Sequence, residues 1–157
     1  MTQPRDVPIT AEGLTQVRQE LDVLVSVRRP EIVAKIKAAR EHGDLSENFE
    51  YHAARNEQSF IETRIRELEA VVKNHVIIES RASNGRVDLL STVTFAEEGE
   101  AEETYRIVGS TEADPSAGRI SYESAIGRAL LGHSAGDEVE VRTPSGSRYT
   151  VRILKVE

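Results

Sequence analysis

Residues 40–55 read Arg40-Glu41-His42-Gly43-Asp44-Leu45-Ser46-Glu47-Asn48-Phe49-Glu50-Tyr51-His52-Ala53-Ala54-Arg55. This stretch decides the fold, because it interrupts a helical pattern that runs up to it and resumes beyond it. Upstream, Leu14, Val17, Leu21 and Leu24, then Ile32, Ile36 and Ala39, recur at steps of three and four, which is the spacing of one apolar helix face. Downstream the stripe resumes through Phe49, Ala53, Phe60, Ile61, Ile65, Leu68 and Val72. Gly43 suits a left-handed helix end, and Asp44 or Ser46 suits the start of the next helix. Two periodic arms joined by a few residues predict an antiparallel helical hairpin. With about 30 residues per arm at ~1.5 Å each, the hairpin is roughly 45 Å long and ends in a tip.

Signals at the ends of the arms agree. Thr10 is placed to cap the first helix, although Gly13 weakens that start. Pro30 lacks an N–H and crowds the preceding turn, so it predicts a kink or a short break.

Near residue 80 the period shifts towards two. Val93 and Phe95 alternate with Thr92 and Thr94, Val139 and Val141 alternate with charged residues, and Tyr149, Val151, Ile153 and Val156 form a last run. Pro144-Ser145-Gly146 separates the last two runs as a hairpin turn, and Asn84-Gly85 and Asp114 to Gly118 are further turns. A short helix over 125–131 follows Ser124 as cap and ends at Gly132. The expected architecture is therefore α+β. A helical hairpin over residues 1–79 precedes a small antiparallel sheet domain with one short helix over 80–157.

The chain has 157 residues, 38% hydrophobic and 4% aromatic, with no Trp and no Cys. Disulfides and thiolate metal sites are excluded. No apolar run is long enough to span a membrane, and the first residues lack a signal-peptide core; a cytoplasmic protein is expected. Net charge is −7; residues 1–79 hold 11 basic and 14 acidic side chains, residues 80–157 hold 9 and 13. Neither half carries the basic excess with which proteins hold nucleic acid directly. A chain this acidic needs a protein partner or metal ions to act on nucleic acid. The acidic run Glu97 to Glu103 reads as a solvated loop.

At the tip, Asp44 and Glu47 stand three apart, a spacing that lets their side chains face one way. Two exposed carboxylates make half a magnesium site, since Mg²⁺ commonly takes one or two protein carboxylates and leaves its other positions to water and phosphate. The same Asp-x-x-Glu is a capping-box pattern that stabilises a helix start. Both readings stand, because a cap leaves carboxylate oxygens free to point forwards. Tyr51 and Arg55 follow one and two turns behind, with Lys37 and Arg40 expected opposite. Arg55 is suited to an RNA phosphate, or to an ordinary surface ion pair. His42 and His52 would need further converging ligands to hold zinc, which a tip does not offer. There is no P-loop, no Gly-x-Ser-x-Gly and no cysteine nucleophile.

The stretch from Ser26 through Arg55, and within it Gly43-Asp44-Leu45-Ser46-Glu47-Asn48-Phe49-Glu50-Tyr51, resembles the Gre family of bacterial transcript-cleavage factors in its GreA subtype. The likeness continues through Tyr105-Arg106-Ile107-Val108-Gly109, through Ile120-Ser121 to Gly132, and through Thr143-Pro144-Ser145-Gly146. It implies a coiled-coil N-terminal domain and an FKBP-like C-terminal domain. By the same resemblance the C-terminal domain docks on a coiled coil of the largest subunit of RNA polymerase, at the mouth of the secondary channel. Glu123, Ser124 and Ala125 match that docking segment. The hairpin enters the channel, where Asp44 and Glu47 help to hold a Mg²⁺ of the polymerase active site, and Tyr51 and Arg55 contact RNA or the channel wall. The polymerase then cleaves the 3′ end of backtracked RNA; the factor has no cofactor and no active site of its own, and acts as a monomer. Two positions depart from the pattern. Ala125 stands where many relatives have Pro, and Gly127 where they have Ala, which implies a looser docking segment. The strong basic patch of the GreB subtype is absent.

Other classes are weaker. A Gre-fold relative that enters the channel and inhibits the polymerase would be expected to differ at the tip. An autonomous metal nuclease lacks the remaining ligands and a pocket. A hairpin chaperone leaves the specific tip unexplained.

Overall fold

The computed structural model describes residues 5–43 and 48–157. Its backbone contacts divide the chain into two compact units, Leu14–His75 and a second that joins the residues up to Gly13 with Val76–Glu157. The division at 79/80 read from the change of period thus differs from the packing at both ends of the hairpin. Strand β1 (Val7–Ile9) pairs with β2 (His75–Ile77), the Ile78 N–H donates to the Ile9 carbonyl at 2.9 Å, and Ile9 is fully buried. Periodicity reports local structure and is blind to which segments pair.

Helix α1 (Ala11–Val23) starts at the cap expected of it: the Gly13 N–H donates to the Thr10 hydroxyl at 3.0 Å. A single π turn, Leu24–Arg28, leads into α2 (Arg29–Arg40). Here the expected break at Pro30 takes a milder form. The Arg29 N–H bonds five residues back to the Leu24 carbonyl, and Val23, Arg28 and Arg29 all keep right-handed helical angles. The wider turn gives the proline ring the room an α-helical turn would deny it, so the helix changes pitch without stopping.

Helix α3 (Phe49–Asn74) forms the other arm. Ile32 and Ile36 pack with Ala54, Ile61 and Ile65, and Leu21, Leu24 and Tyr51 lean on that seam. Each fully buried isoleucine contributes about 1.5–3 kcal/mol relative to leaving it in water. Ion pairs flank the seam: Arg29 forks onto Glu62 at 2.8 and 2.9 Å, Arg64 onto Glu20 at 2.8 and 3.0 Å, and Lys35 reaches Glu57 at 3.0 Å. The stripe expected on this arm needs correction. Ala54 is buried where Ala53 was expected, while Phe49 is 88% and Phe60 77% exposed. Neighbouring residues of a helix point roughly 100° apart, so the seam that holds Ile61 must turn Phe60 aside.

The second unit is built on a five-stranded sheet in the order β5-β4-β3-β7-β6, separate from the β1–β2 pair. Its strands are β3 (Thr92–Glu97), β4 (Glu103–Val108), β5 (Arg119–Ser121), β6 (Glu138–Arg142) and β7 (Arg148–Val156). The expectation of an all-antiparallel sheet is corrected at one edge. β4 and β5 run parallel, with Ile107 opposite Ile120. Two short 3₁₀ turns, at Ser110–Glu112 and Pro115–Ala117, bring the chain back to start β5 beside the middle of β4. Alternation within a strand carries no information about direction. Val93, Phe95, Ile107, Val139, Val141, Val151 and Ile153 form the core, covered by helix α4 (Ala125–Leu130) through Leu130. The turn at 143–147 is as expected, closed by the Thr143 N–H on the Ser147 carbonyl at 2.9 Å. The acidic run lies in the exposed β3–β4 connection. Among the described residues no helix is long and apolar enough to cross a membrane.

Candidate functional site at the hairpin tip

Toward the tip the hairpin core thins. The last fully packed residues are Ala39 on α2 and Ala54 on α3, and beyond them Tyr51 and Asn48 are half-buried. Gly43 takes a φ of +109°, the left-handed end its residue type predicts. Asp44 and Glu47, the two carboxylates singled out in the sequence, lie outside the described residues, together with Leu45 and Ser46.

The cap of α3 is Asn48, in place of the Asp44 or Ser46 expected. Its backbone is extended, and its Oδ1 accepts from the Tyr51 N–H at 3.0 Å. Its Nδ2 donates to the Ala39 carbonyl at 2.6 Å, across to the other arm. Tyr51 lies beneath the Arg40 guanidinium, 5.9 Å from the ring centroid, a cation–π distance. Tyr51 is therefore partly occupied within the hairpin. No role had been drawn from the sequence for Asn48, although an Asn directly before a periodic run is a standard cap signal.

Lys37, Arg40 and Arg55 come together as expected. With Val33, Ile36 and Gln58 they line an open groove of about 320 Å³ between the arms. Arg55 donates to the Gln58 side chain at 2.9 Å, and among the described residues it does not make the surface ion pair that was its ordinary reading. Among the described residues, none of these three cations forms an ion pair, whereas Arg28, Arg29, Lys35 and Arg64 on the same hairpin all do. Among the described residues an acidic chain thus gathers three positive charges without an acidic partner near its tip, the arrangement that attracts a phosphate. His42 and His52 are exposed, and among the described residues no three His, Asp or Glu side chains converge as a metal-binding group.

In the second unit, Glu123, Ser124 and Ala125 sit together at the start of α4. Ser124 is spent on structure: its hydroxyl donates to the Ser121 carbonyl at 2.6 Å and accepts from the Gly127 N–H at 3.1 Å. Ala125 packs against the sheet core. Glu123 stays exposed, taking hydrogen bonds from the Tyr122 hydroxyl at 3.0 Å and Ser110 at 3.2 Å. Burial, helped by Glu123, raises the Tyr122 phenol above its ordinary value, so it remains a donor. Gly127 is buried, and a Cβ there would fall well inside contact distance of the Ser121 carbonyl. It is a close-approach residue, which the expectation of a looser segment did not include.

Comparison with known proteins covers the chain almost end to end. The N-terminal domain family described as "Transcription elongation factor, N-terminal" matches residues 7–77, and that described as "Transcription elongation factor, GreA/GreB, C-term" matches residues 82–157. A protein of Macrococcus caseolyticus named transcription elongation factor GreA is 50% identical over 99% of both chains. One of the same name from Thermomicrobium roseum is 53% identical over 96% of this chain and 97% of its own. Among solved structures, one described as the transcription factor Gfh1 is 28% identical over 99% of both chains, with a TM-score of 0.48.

Proposed function

The chain belongs to the GreA/GreB family of transcription elongation factors, and on that premise we propose that it acts on RNA polymerase from within the secondary channel, stimulating cleavage of the 3′ end of backtracked RNA. Its place of work is then the cytoplasm and its partner the bacterial polymerase, docked through Glu123 and the start of α4 on the largest-subunit coiled coil. The factor works as a monomer and brings no cofactor of its own. Asp44 and Glu47 are the residues that assist. Two carboxylates are a suitable donor set for Mg²⁺, a hard cation that prefers oxygen. In two-metal phosphodiester hydrolysis that ion supplies Lewis-acid stabilisation and an activated water. This chain's part is to carry the carboxylates on a stiff hairpin, and to offer Lys37, Arg40 and Arg55 to RNA phosphates behind them.

The observation that carries this reading is the charge arrangement. Among the described residues Lys37, Arg40 and Arg55 form no ion pair, in a chain whose net charge is −7, and they adjoin a segment that holds two acids three residues apart. RNA and a divalent cation are the species that such a pairing of signs accommodates together. The test is a stalled, backtracked elongation complex in which release of 3′ RNA fragments is followed. The protein accelerates release; Asp44→Asn and Glu47→Gln abolish the acceleration and keep polymerase binding. Full activity in both variants would overturn the role of the carboxylates. Inhibition without cleavage would support the inhibitory relative, and cleavage of free RNA without polymerase would support a nuclease.

A further inference from the structure

We infer that Asn48 is the positioning residue of the tip: its one side-chain amide clasps the end of α2 to the start of α3 and so sets where the segment carrying Asp44 and Glu47 leaves and rejoins the hairpin. The inference rests on the functional reading above for the importance of that segment, but its geometry lies wholly in described residues.

Helix ends leave terminal N–H and C=O groups without partners. Asn48 answers one of each, on different helices: Oδ1 takes the Tyr51 N–H in the first turn of α3, and Nδ2 gives to the Ala39 carbonyl in the last turn of α2. A carboxamide is suited to this because it holds donor and acceptor on one short planar group. Aspartate at the same place would keep the acceptor and lose the donor; serine would cap but fall short of the other arm. The two partners also settle the amide's orientation, since a carbonyl oxygen cannot donate and a backbone N–H cannot accept.

Two further observations make the clasp more than a cap. Arg40, the residue after Ala39, lies over the ring of Tyr51, the residue whose N–H Asn48 holds. Ala39, Asn48, Tyr51 and Arg40 thereby form a closed circuit between the arms. Below them the seam is apolar and buried, but from Ala39 and Ala54 towards the tip no described residue is a buried hydrophobe, and Phe49 is 88% exposed. Among the described residues apolar packing there is limited to Tyr51 leaning on the seam, so polar contacts carry more of the work of holding the helix ends. A site that has to deliver two oxygens to a cation needs its supports held to a fraction of an ångström.

The test compares Asn48→Asp and Asn48→Ser with the unaltered protein in the backtracked-complex assay over a range of Mg²⁺ concentrations. Polymerase binding by competition and helicity by circular dichroism are measured alongside. Both variants retain a cap acceptor, so helicity and binding are expected to stay within about twofold of the parent, as for a change that spares the fold. Stimulated cleavage at limiting Mg²⁺ falls about ten- to a hundredfold, the cost of a misplacement near 1 Å, and the Mg²⁺ needed for half-maximal stimulation rises. Wild-type rate and Mg²⁺ requirement in both variants, while Asp44→Asn and Glu47→Gln are inactive, would overturn this inference alone. Loss of binding or helicity in parallel with activity would also overturn it, by making Asn48 a folding residue. If Asp44→Asn and Glu47→Gln are themselves fully active, the underlying functional reading fails first, and the inference with it.

Discussion

Glu112 receives the backbone N–H of Thr10 at 2.9 Å, and its carboxylate also takes the Thr10 hydroxyl, across 102 residues of chain. A carboxylate from the sheet unit thus sits on the N-terminus of α1, where a negative charge complements the helix dipole. Gly13 makes this possible, because a Cβ there would lie under 3 Å from that carboxylate. The apparent flaw in the helix start is the space the acid occupies.

Gly13→Ala is therefore predicted to change sign with its neighbour. Alanine is favoured over glycine within a helix by about 1 kcal/mol, yet here it must displace Glu112. In the natural sequence Gly13→Ala lowers stability; in a Glu112→Ala background it raises it. Chemical denaturation of the four proteins of the double-mutant cycle measures the coupling. Additive effects would show that the contact does not matter.

The register of the α3 seam gives a second contrast. Ile61→Ala removes a side chain that is 6% exposed and is expected to cost about 2–5 kcal/mol. Phe60→Ser alters one that is 77% exposed and should stay within about 0.5 kcal/mol. Thermal melts distinguish the two; a larger loss for Phe60→Ser than for Ile61→Ala would mean that the seam runs one residue earlier.

Acid should loosen the hairpin. Hydrogen bonds from Lys35 and Arg29 hold the Glu57 and Glu62 carboxyls below their ordinary value of 4.5. Between the lowered folded values and 4.5 the unfolded chain binds more protons, so the stabilisation is complete above 4.5 and is lost as pH falls through the folded values. Both acids face solvent, so added salt weakens the effect. Melting followed from about pH 6 to about pH 3 should show the decline, and a Glu57→Gln/Glu62→Gln protein should show a shallower one. Identical slopes would remove these pairs as the cause.

Arg55→Ala tests the groove. Its partner is Gln58, not an acid, so the fold should tolerate the change. Loss of one charge-assisted hydrogen bond to phosphate, about 1.5–3 kcal/mol, implies roughly a tenfold or larger drop in stimulated cleavage. Arg66→Ala, whose side chain reaches Thr63 at 3.2 Å on the same helix, serves as control. Equal activity of the two variants would dissociate the groove from RNA.

The hairpin, its cap at Thr10, the left-handed Gly43, the turn at 143–147 and the short helix behind Ser124 were legible because each depends on neighbours within a few residues. The candidate site was legible in part for the same reason: the grouping of Lys37, Arg40 and Arg55 follows once an antiparallel hairpin is assumed. Phe49 and Phe60 misled, since hydrophobicity names a residue's preference and not the direction it points.

What the sequence determined by itself was every feature carried by local spacing: two helical arms, a break at the tip, strands after residue 80, and the acid and base pattern at residues 37–55. Tertiary structure alone decided that β1 belongs with the sheet unit, that β5 runs parallel to β4, that Gly13 makes room for Glu112, and that Asn48 joins Ala39 to Tyr51. These are contacts between segments 9 to 102 residues apart. Pattern is set by bonds along the chain, whereas such contacts are selected by which buried polar groups and apolar faces find partners when the whole chain packs.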